Sequence, residues 1–156
     1  MFTRRFVVTV SAAALVAAGA PAFSQSAAAQ SSEKQGIFVG AKPLGPYSPA
    51  VQVGDMLFLS GQIGRDASGT LVEGGVQAEA RQAMENLGDL LEEAGMTYAN
   101  VVRTTIYLTS IDDYAAVNET YASFFGEGTT PPSRSTVAVA AIPGGAHVEI
   151  DFIAVR

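Results

Sequence analysis

Between residues 76 and 94 the chain places Val76, Ala80, Ala83, Leu87, Leu90, Leu91 and Ala94 on one face of a helix. Glu79, Arg81, Glu85 and Glu92 fall outside that stripe, and Gly95 stands where a helix C-terminus stops. The neighbouring segments read as strands. Val101 to Thr109 is rich in β-branched and aromatic residues, with Val102, Thr104, Ile106 and Leu108 on one face. Ile37–Val39 and Val51–Val53 are short strands, Gly54-Asp55 turns the second into Met56–Ser60, and 61–75 reads as loop. Ser110 is placed as an N-cap with Asp113 at N3, opening a second helix whose Tyr114, Val117, Tyr121 and Phe124 share a side until Gly126. A strand beginning near Arg134 follows, and 142–145 turns the chain into a last strand, His147 to Val155. Two helices with one apolar face each cover one side of a sheet. The other side still carries Val and Ile in quantity, so subunit packing is its expected cover.

The N-terminal residues read as an export signal. Met1–Arg5 is a short positive segment and Phe6–Ala20 an apolar, alanine-rich one too short for a comfortable membrane span. Residues 1–24 are assigned to a signal peptide, with cleavage between residues 22 and 29, and Arg4-Arg5 also fits twin-arginine export. Residues 25–36, rich in Ser, Ala and Gln, form a disordered leader, and 37–156 form one domain. The mature protein is expected to be periplasmic or secreted, without membrane attachment. It has no cysteine, so disulfides and thiol chemistry are excluded and the fold rests on its core and on oligomerisation. Without Arg4 and Arg5 there are seven basic residues against fifteen acidic ones, a net charge of −8. That balance, with no basic stripe, argues against nucleic acid and anionic membrane surfaces as partners.

Two charged residues in the last quarter carry the chemistry. Arg134 heads an apolar run and Glu149 lies early in the next. A guanidinium in an apolar strand needs an anion, because an uncompensated buried charge costs about several kcal/mol. Asp151, Glu149 or a neighbouring subunit can supply it, and so can a small organic acid, whose carboxylate suits the planar fork of arginine. His147, the only histidine, lies beside Gly144-Gly145 and reads as a solvated rim residue. No metal-ligand cluster, phosphate-binding glycine loop or nucleophile–base pair is present in the sequence, so neither metal nor cofactor is expected.

Five blocks, in order and at compatible spacing, resemble one family. They are Gly45-Pro46-Tyr47-Ser48-Pro49-Ala50, Ser60-Gly61-Gln62-Ile63, the run A-R-Q-A-M-E-N-L from Ala80, the run V-N-E-T-Y-A-S-F-F from Val117, and Pro132-Ser133-Arg134-Ser135 with Val148-Glu149-Ile150. From about Gly45 to Val155 the chain resembles the RidA/YjgF family of reactive-intermediate deaminases. The resemblance implies a chorismate-mutase-like α+β fold, a mixed sheet of about six strands with two helices packed on one face. It also implies a homotrimer with clefts between subunits, and cofactor-free hydrolysis of 2-imino or 2-enamino acids to 2-oxo acids and ammonia. In that scheme Arg134 clamps the substrate carboxylate near the Ser60-Gly61 backbone, Glu149 orients or protonates the imine and the attacking water, and Tyr47 and Asn118 line the cleft. From the residues alone, Ser60-Gly61 also reads as a strand end, Tyr47 as a packing residue and Asn118 as solvated surface. Thr136 stands where many members carry a cysteine, a departure that bears on redox regulation more than on hydrolysis. The alternative function is a non-catalytic module for small carboxylates, or a holdase, on the same scaffold.

Overall fold

A computed structural model describes residues 33–126 and 128–156. The expected signal peptide, and the expected leader as far as residue 32, lie outside the described residues. The strands are β1 (Gln35–Ile37), β2 (Ala50–Val53), β3 (Met56–Ile63), β4 (Val101–Leu108), β5 (Ser133–Ala138) and β6 (Val148–Val155), and the helices α1 (Gly75–Glu93) and α2 (Tyr114–Ala122). They form one six-stranded sheet in the order β1-β2-β3-β6-β4-β5. Every neighbouring pair is antiparallel except β4–β5. This is the expected mixed α+β sheet.

Its layering follows from connectivity. β3 and β4 are both antiparallel to β6 and therefore parallel to each other, so β3-α1-β4 and β4-α2-β5 are two crossovers running the same way across the sheet. Right-handed crossovers of that kind put both helices on the same face. Ala80, Ala83, Met84, Leu87, Leu90 and Leu91 of α1 pack there with Leu57, Leu59, Ile106, Leu108, Ile150 and Phe152 from three strands. Tyr98, just before β4, closes one end of this core. Its ring contacts Phe124, Phe125 and Phe152 at centroid distances of 5.5–6.4 Å, and its hydroxyl donates to the Met84 carbonyl at 2.7 Å. Burial, with the charges of Asp89 and Glu85, pushes that phenol up to about 12, so it remains a donor.

The opposite face has no helix over it. Met56 and Phe58 are each 41% exposed there and Val137 42%, and they share the face with Ile153 and Val155 of β6.

Irregularities account for the departures from simple periodicity. β3 runs through Ser60-Gly61 to Ile63 rather than ending at Ser60, with its register to β6 slipping between Leu59 and Gln62. A second slip between Val101 and Arg103 turns Val102 outward and buries Val101 instead. β1 begins two residues earlier than the expected domain start, and Phe38-Val39 lie outside it. The Ser110 hydroxyl accepts the Asp112 N–H at 3.2 Å and caps a single 3-10 turn, Ile111–Asp113. α2 starts after that turn and ends at Ala122, so Phe124 packs from beyond the helix.

α1 approaches the end of β3 closely at Gly64. A Cβ on residue 64 would overlap the Glu79 backbone, standing 2.8 Å from its carbonyl oxygen. Gly64→Ala is expected to destabilise the protein by about 1–3 kcal/mol, because helix backbone cannot swing aside as a side chain can. A thermal melt unchanged from wild type would contradict this packing.

Candidate active site

Glu149 is the second residue of β6. Val148, Ile150, Phe152 and Ala154 are buried beneath the helices, so Glu149 and Asp151 face the open side. Glu149 pairs with Ile63 of β3 and Tyr107 of β4. Its carboxyl lies over the bare Cα of Gly61, where a Cβ would overlap it. Gly61 has no positive φ, so glycine serves there for space rather than for torsion. The Ser60 hydroxyl donates to the Ser48 carbonyl at 2.9 Å and the Ser60 N–H to the Pro49 carbonyl at 2.8 Å, which ties the segment after Tyr47 to β3. Tyr47, Ser60, Gly61 and Glu149, with Leu44, Ile63 and Pro143, line an open cleft of about 400 Å³. Glu149 is half-buried there. Burial first, and the Asp151 carboxylate second, raise it above the ordinary carboxyl range. It therefore keeps its proton to higher pH than a solvated glutamate. Asp151 is occupied by the Tyr107 hydroxyl, which donates to its Oδ2 at 3.0 Å.

Arg134 belongs to a different place. It stands on β5 opposite Thr104, which is fully buried under α2 with its hydroxyl 3.0 Å from that of Tyr121. Arg134 therefore lies on the helix-covered face, at the sheet edge. Its guanidinium carbon is 4.9 Å from the Tyr121 ring centroid and 5.8 Å from that of Tyr114, and Nη2 donates to the Tyr114 hydroxyl at 3.3 Å. These contacts fix its plane but leave most of its five donors unused. No carboxylate is among its described contacts; Glu149 and Asp151 are on the opposite face. Asn118 bonds the Tyr114 hydroxyl, and that bond, followed by the Arg134 charge, holds the phenol below its ordinary value. Arg134, Asn118, Tyr121 and Phe125 line a second open cleft, of about 390 Å³.

The six residues singled out in the sequence thus fall into two groups that one chain does not bring together. The row through Glu149 passes Tyr107 and Val137, whereas the row through Arg134 passes Thr104 and Phe152. The rows are three residues apart and the two strands two spacings apart, about 10 Å in each direction. Asn118 is part of the arginine cluster rather than plain surface, because Tyr114, Asn118 and Tyr121 recur at four and three residues along one face of α2. That spacing is legible in the sequence and would have marked both tyrosines, which periodicity alone assigned to the core. Asp151 also enters the site, two residues from Glu149 on the same face.

His147 is half exposed, as a rim residue should be, yet its Nδ1 is 2.6 Å from Oε1 of Glu79, which is 2% exposed. Helical spacing sets Glu79 outside the apolar stripe of α1, and the close approach at Gly64 buries it. Among the described residues no group of three or more His, Cys, Asp or Glu side chains is arranged to hold a metal ion.

The sequence profile of a family described as Endoribonuclease L-PSP matches residues 39–156. The chain is 49% identical over 114 residues to a Mus musculus protein named 2-iminobutanoate/2-iminopropanoate deaminase, covering 72% of this chain and 83% of that one. The Homo sapiens protein of the same name is 46% identical, with coverage of 72% and 82%. Among solved structures, Escherichia coli TdcF with bound serine is 36% identical with a TM-score of 0.74, covering 78% of this chain and 98% of that one. RidA from an Antarctic Psychrobacter is 37% identical, also with a TM-score of 0.74, over 78% and 99%.

The charge beside Glu149 provides a direct check on the electrostatics. Asp151→Asn is expected to lower the Glu149 titration midpoint while leaving it above that of a solvated glutamate, because burial is the larger cause. Carboxyl-carbon NMR on labelled protein reads this, and an unchanged midpoint would remove Asp151 from the account.

Proposed function

The chain belongs to the Endoribonuclease L-PSP family, the RidA/YjgF proteins, and on that premise we propose that it hydrolyses 2-imino and 2-enamino acids to 2-oxo acids and ammonia. The observation that carries this reading is the half-buried Glu149 carboxyl, raised above the ordinary range and laid over Gly61 in an open cleft. It is supported by relatives at 46–49% identity named 2-iminobutanoate/2-iminopropanoate deaminase.

The chemistry asks little of the protein. Water already attacks a C=N bond conjugated to a carboxyl, and a site accelerates the attack by holding the acid and moving protons. Protonated Glu149 donates to the imine nitrogen, or to the β-carbon of the enamine tautomer, and its carboxylate then takes a proton from the attacking water. Returned to the amino nitrogen, that proton lets ammonia leave as the C–N bond breaks, and the hydroxyl proton passes back to the Glu149 carboxylate as the carbonyl forms. No redox change occurs. Arg134 offers paired donors to the substrate carboxylate.

Because Arg134 and Glu149 lie on opposite faces of one chain, this reading requires a second copy. The arginine edge of one subunit sits beside the open face of the next, in a homotrimer with three shared clefts. The exposed Met56, Phe58 and Val137 on that face are apolar surface in want of a cover. Ribonuclease activity, which the family's description names, is not the reading favoured here, since without Arg4 and Arg5 seven basic residues against fifteen acidic ones repel a phosphate backbone. Export is part of the same proposal, on the sequence of residues 1–24. Mass spectrometry of the mature N-terminus from the extracytoplasmic fraction tests it, cleavage between Ala22 and Ala29 being expected.

Imino acids generated in situ by an amino-acid oxidase, with semicarbazide as a competing trap, give the decisive assay. Wild type is expected to divert imine to 2-oxo acid, and Arg134→Ala to lose about a hundredfold in kcat/KM. Equal rates for the two proteins would remove Arg134 from the site, and a monomeric mass by light scattering would remove the shared cleft.

A further inference from the structure

Glu79 is the one acidic side chain among the described residues that is fully buried, and the reaction above does not use it. A carboxylate withdrawn from water is costly unless its oxygens are satisfied. Both oxygens go to a single residue. Oε2 accepts the backbone N–H of His147 at 2.7 Å, and Oε1 meets the His147 Nδ1 at 2.6 Å. Glu79 itself is seated by the contact of its backbone with Gly64. From the other side, the His147 carbonyl accepts the Thr109 N–H at 3.0 Å, just past β4. Residue 147 is thus held from both α1 and the end of β4, two residues before Glu149.

We propose that Glu79 and His147 are a positioning pair that fixes where β6 begins and so where the Glu149 carboxyl lies over Gly61. The inference rests on the role given above to Glu149. The ladder to β4 holds Val148, Glu149 and Ile150 from one side, and the brace matters on the β3 side, where Gly61 has no side chain to flank the carboxyl. The β3–β6 register also slips between Leu59 and Gln62, which leaves only the pairs Gln62–Ile150 and Ile63–Glu149 beyond the slip. The charged groups facing His147 are Glu79 from α1 and Asp113 from the turn before α2, and they raise the imidazole above its ordinary 6.5, Glu79 most. A raised histidine pKa means that the charged pairing is complete below pH 6.5 and weakens as the pH climbs through the higher folded value. The neutral ring can keep an Nδ1–H donor, so the brace loosens rather than parts.

The full-length mature protein is assayed for imine hydrolysis from about pH 6 to about pH 9, alongside hydrogen exchange at the Val148–Ile150 amides. Glu79→Gln is expected to lower kcat roughly tenfold with KM within about twofold, and to speed that exchange. His147→Arg, cationic throughout, is expected to decline less steeply above pH 6.5 than wild type, the loss that remains being the ionisation of Glu149. Unchanged kcat and exchange in Glu79→Gln overturn the pair, and superimposable pH profiles for wild type and His147→Arg assign the alkaline limb to Glu149 and overturn the role of the histidine charge. If Glu79→Gln does not fold, His147→Ala at its half-exposed position gives the same readings. If wild type hydrolyses no imine, the functional reading fails, and the exchange rates alone decide the pair: faster exchange in Glu79→Gln supports it and equal exchange ends it.

Discussion

Both crossovers, β3-α1-β4 and β4-α2-β5, run the same way across one sheet, and the handedness of such connections allows both helices only one face. Much else depends on that. The covered face takes the aliphatic and aromatic core, with Phe152 fully buried at its centre and Tyr98 closing its end. The open face keeps Glu149 and Asp151 from alternate positions of the strand that supplies Phe152. One β-strand therefore lines the core on one side and the open cleft on the other, because successive side chains point oppositely. β6 is also the last element in the chain, inserted between β3 and β4, which are already fixed by the two helices.

Two glycines on or just after β3 let this arrangement close up. Gly61 makes room on the open face for the Glu149 carboxyl, and Gly64 makes room on the covered side for the backbone of α1 at Glu79. What each contact requires differs in kind. At Gly61 the neighbour is the flexible end of a side chain, so the space seats the Glu149 carboxyl rather than holding two elements together. At Gly64 it is helix backbone, so the demand is structural. Burial of Glu149 works against its ionised form, and the adjacent Asp151 adds to the cost. A carboxyl kept in that condition suits proton transfer better than it suits stability.

The arginine cluster is built on a different principle. Arg134 rests against two tyrosine rings rather than an acidic partner, which holds the guanidinium flat while its donors stay available. Since the covered and open faces cannot meet within one chain, the separation of Arg134 from Glu149 and the apolar character of the uncovered face lead to the same reading, in which neighbouring copies complete one another's clefts.

Helical spacing from Val76 to Ala94, the strand pattern of residues 101–109 and the motif blocks around Tyr47, Ser60, Arg134 and Glu149 were all legible in the sequence, since periodicity and local chemistry reside in neighbouring residues. They were enough for the mixed sheet and the two helices, and they singled out Arg134 and Glu149 as candidates. Strand slips at Leu59/Gln62 and Val101/Arg103 were not, because a bulge reverses the parity of a strand without changing its composition. The tertiary structure alone decided three further things: that Glu79 is buried against the half-exposed His147, that Tyr114 and Tyr121 frame Arg134, and that Arg134 and Glu149 stand on opposite faces. Each depends on strand order and register across residues far apart in the chain, where the deciding quantity is which side of the sheet a pleat presents.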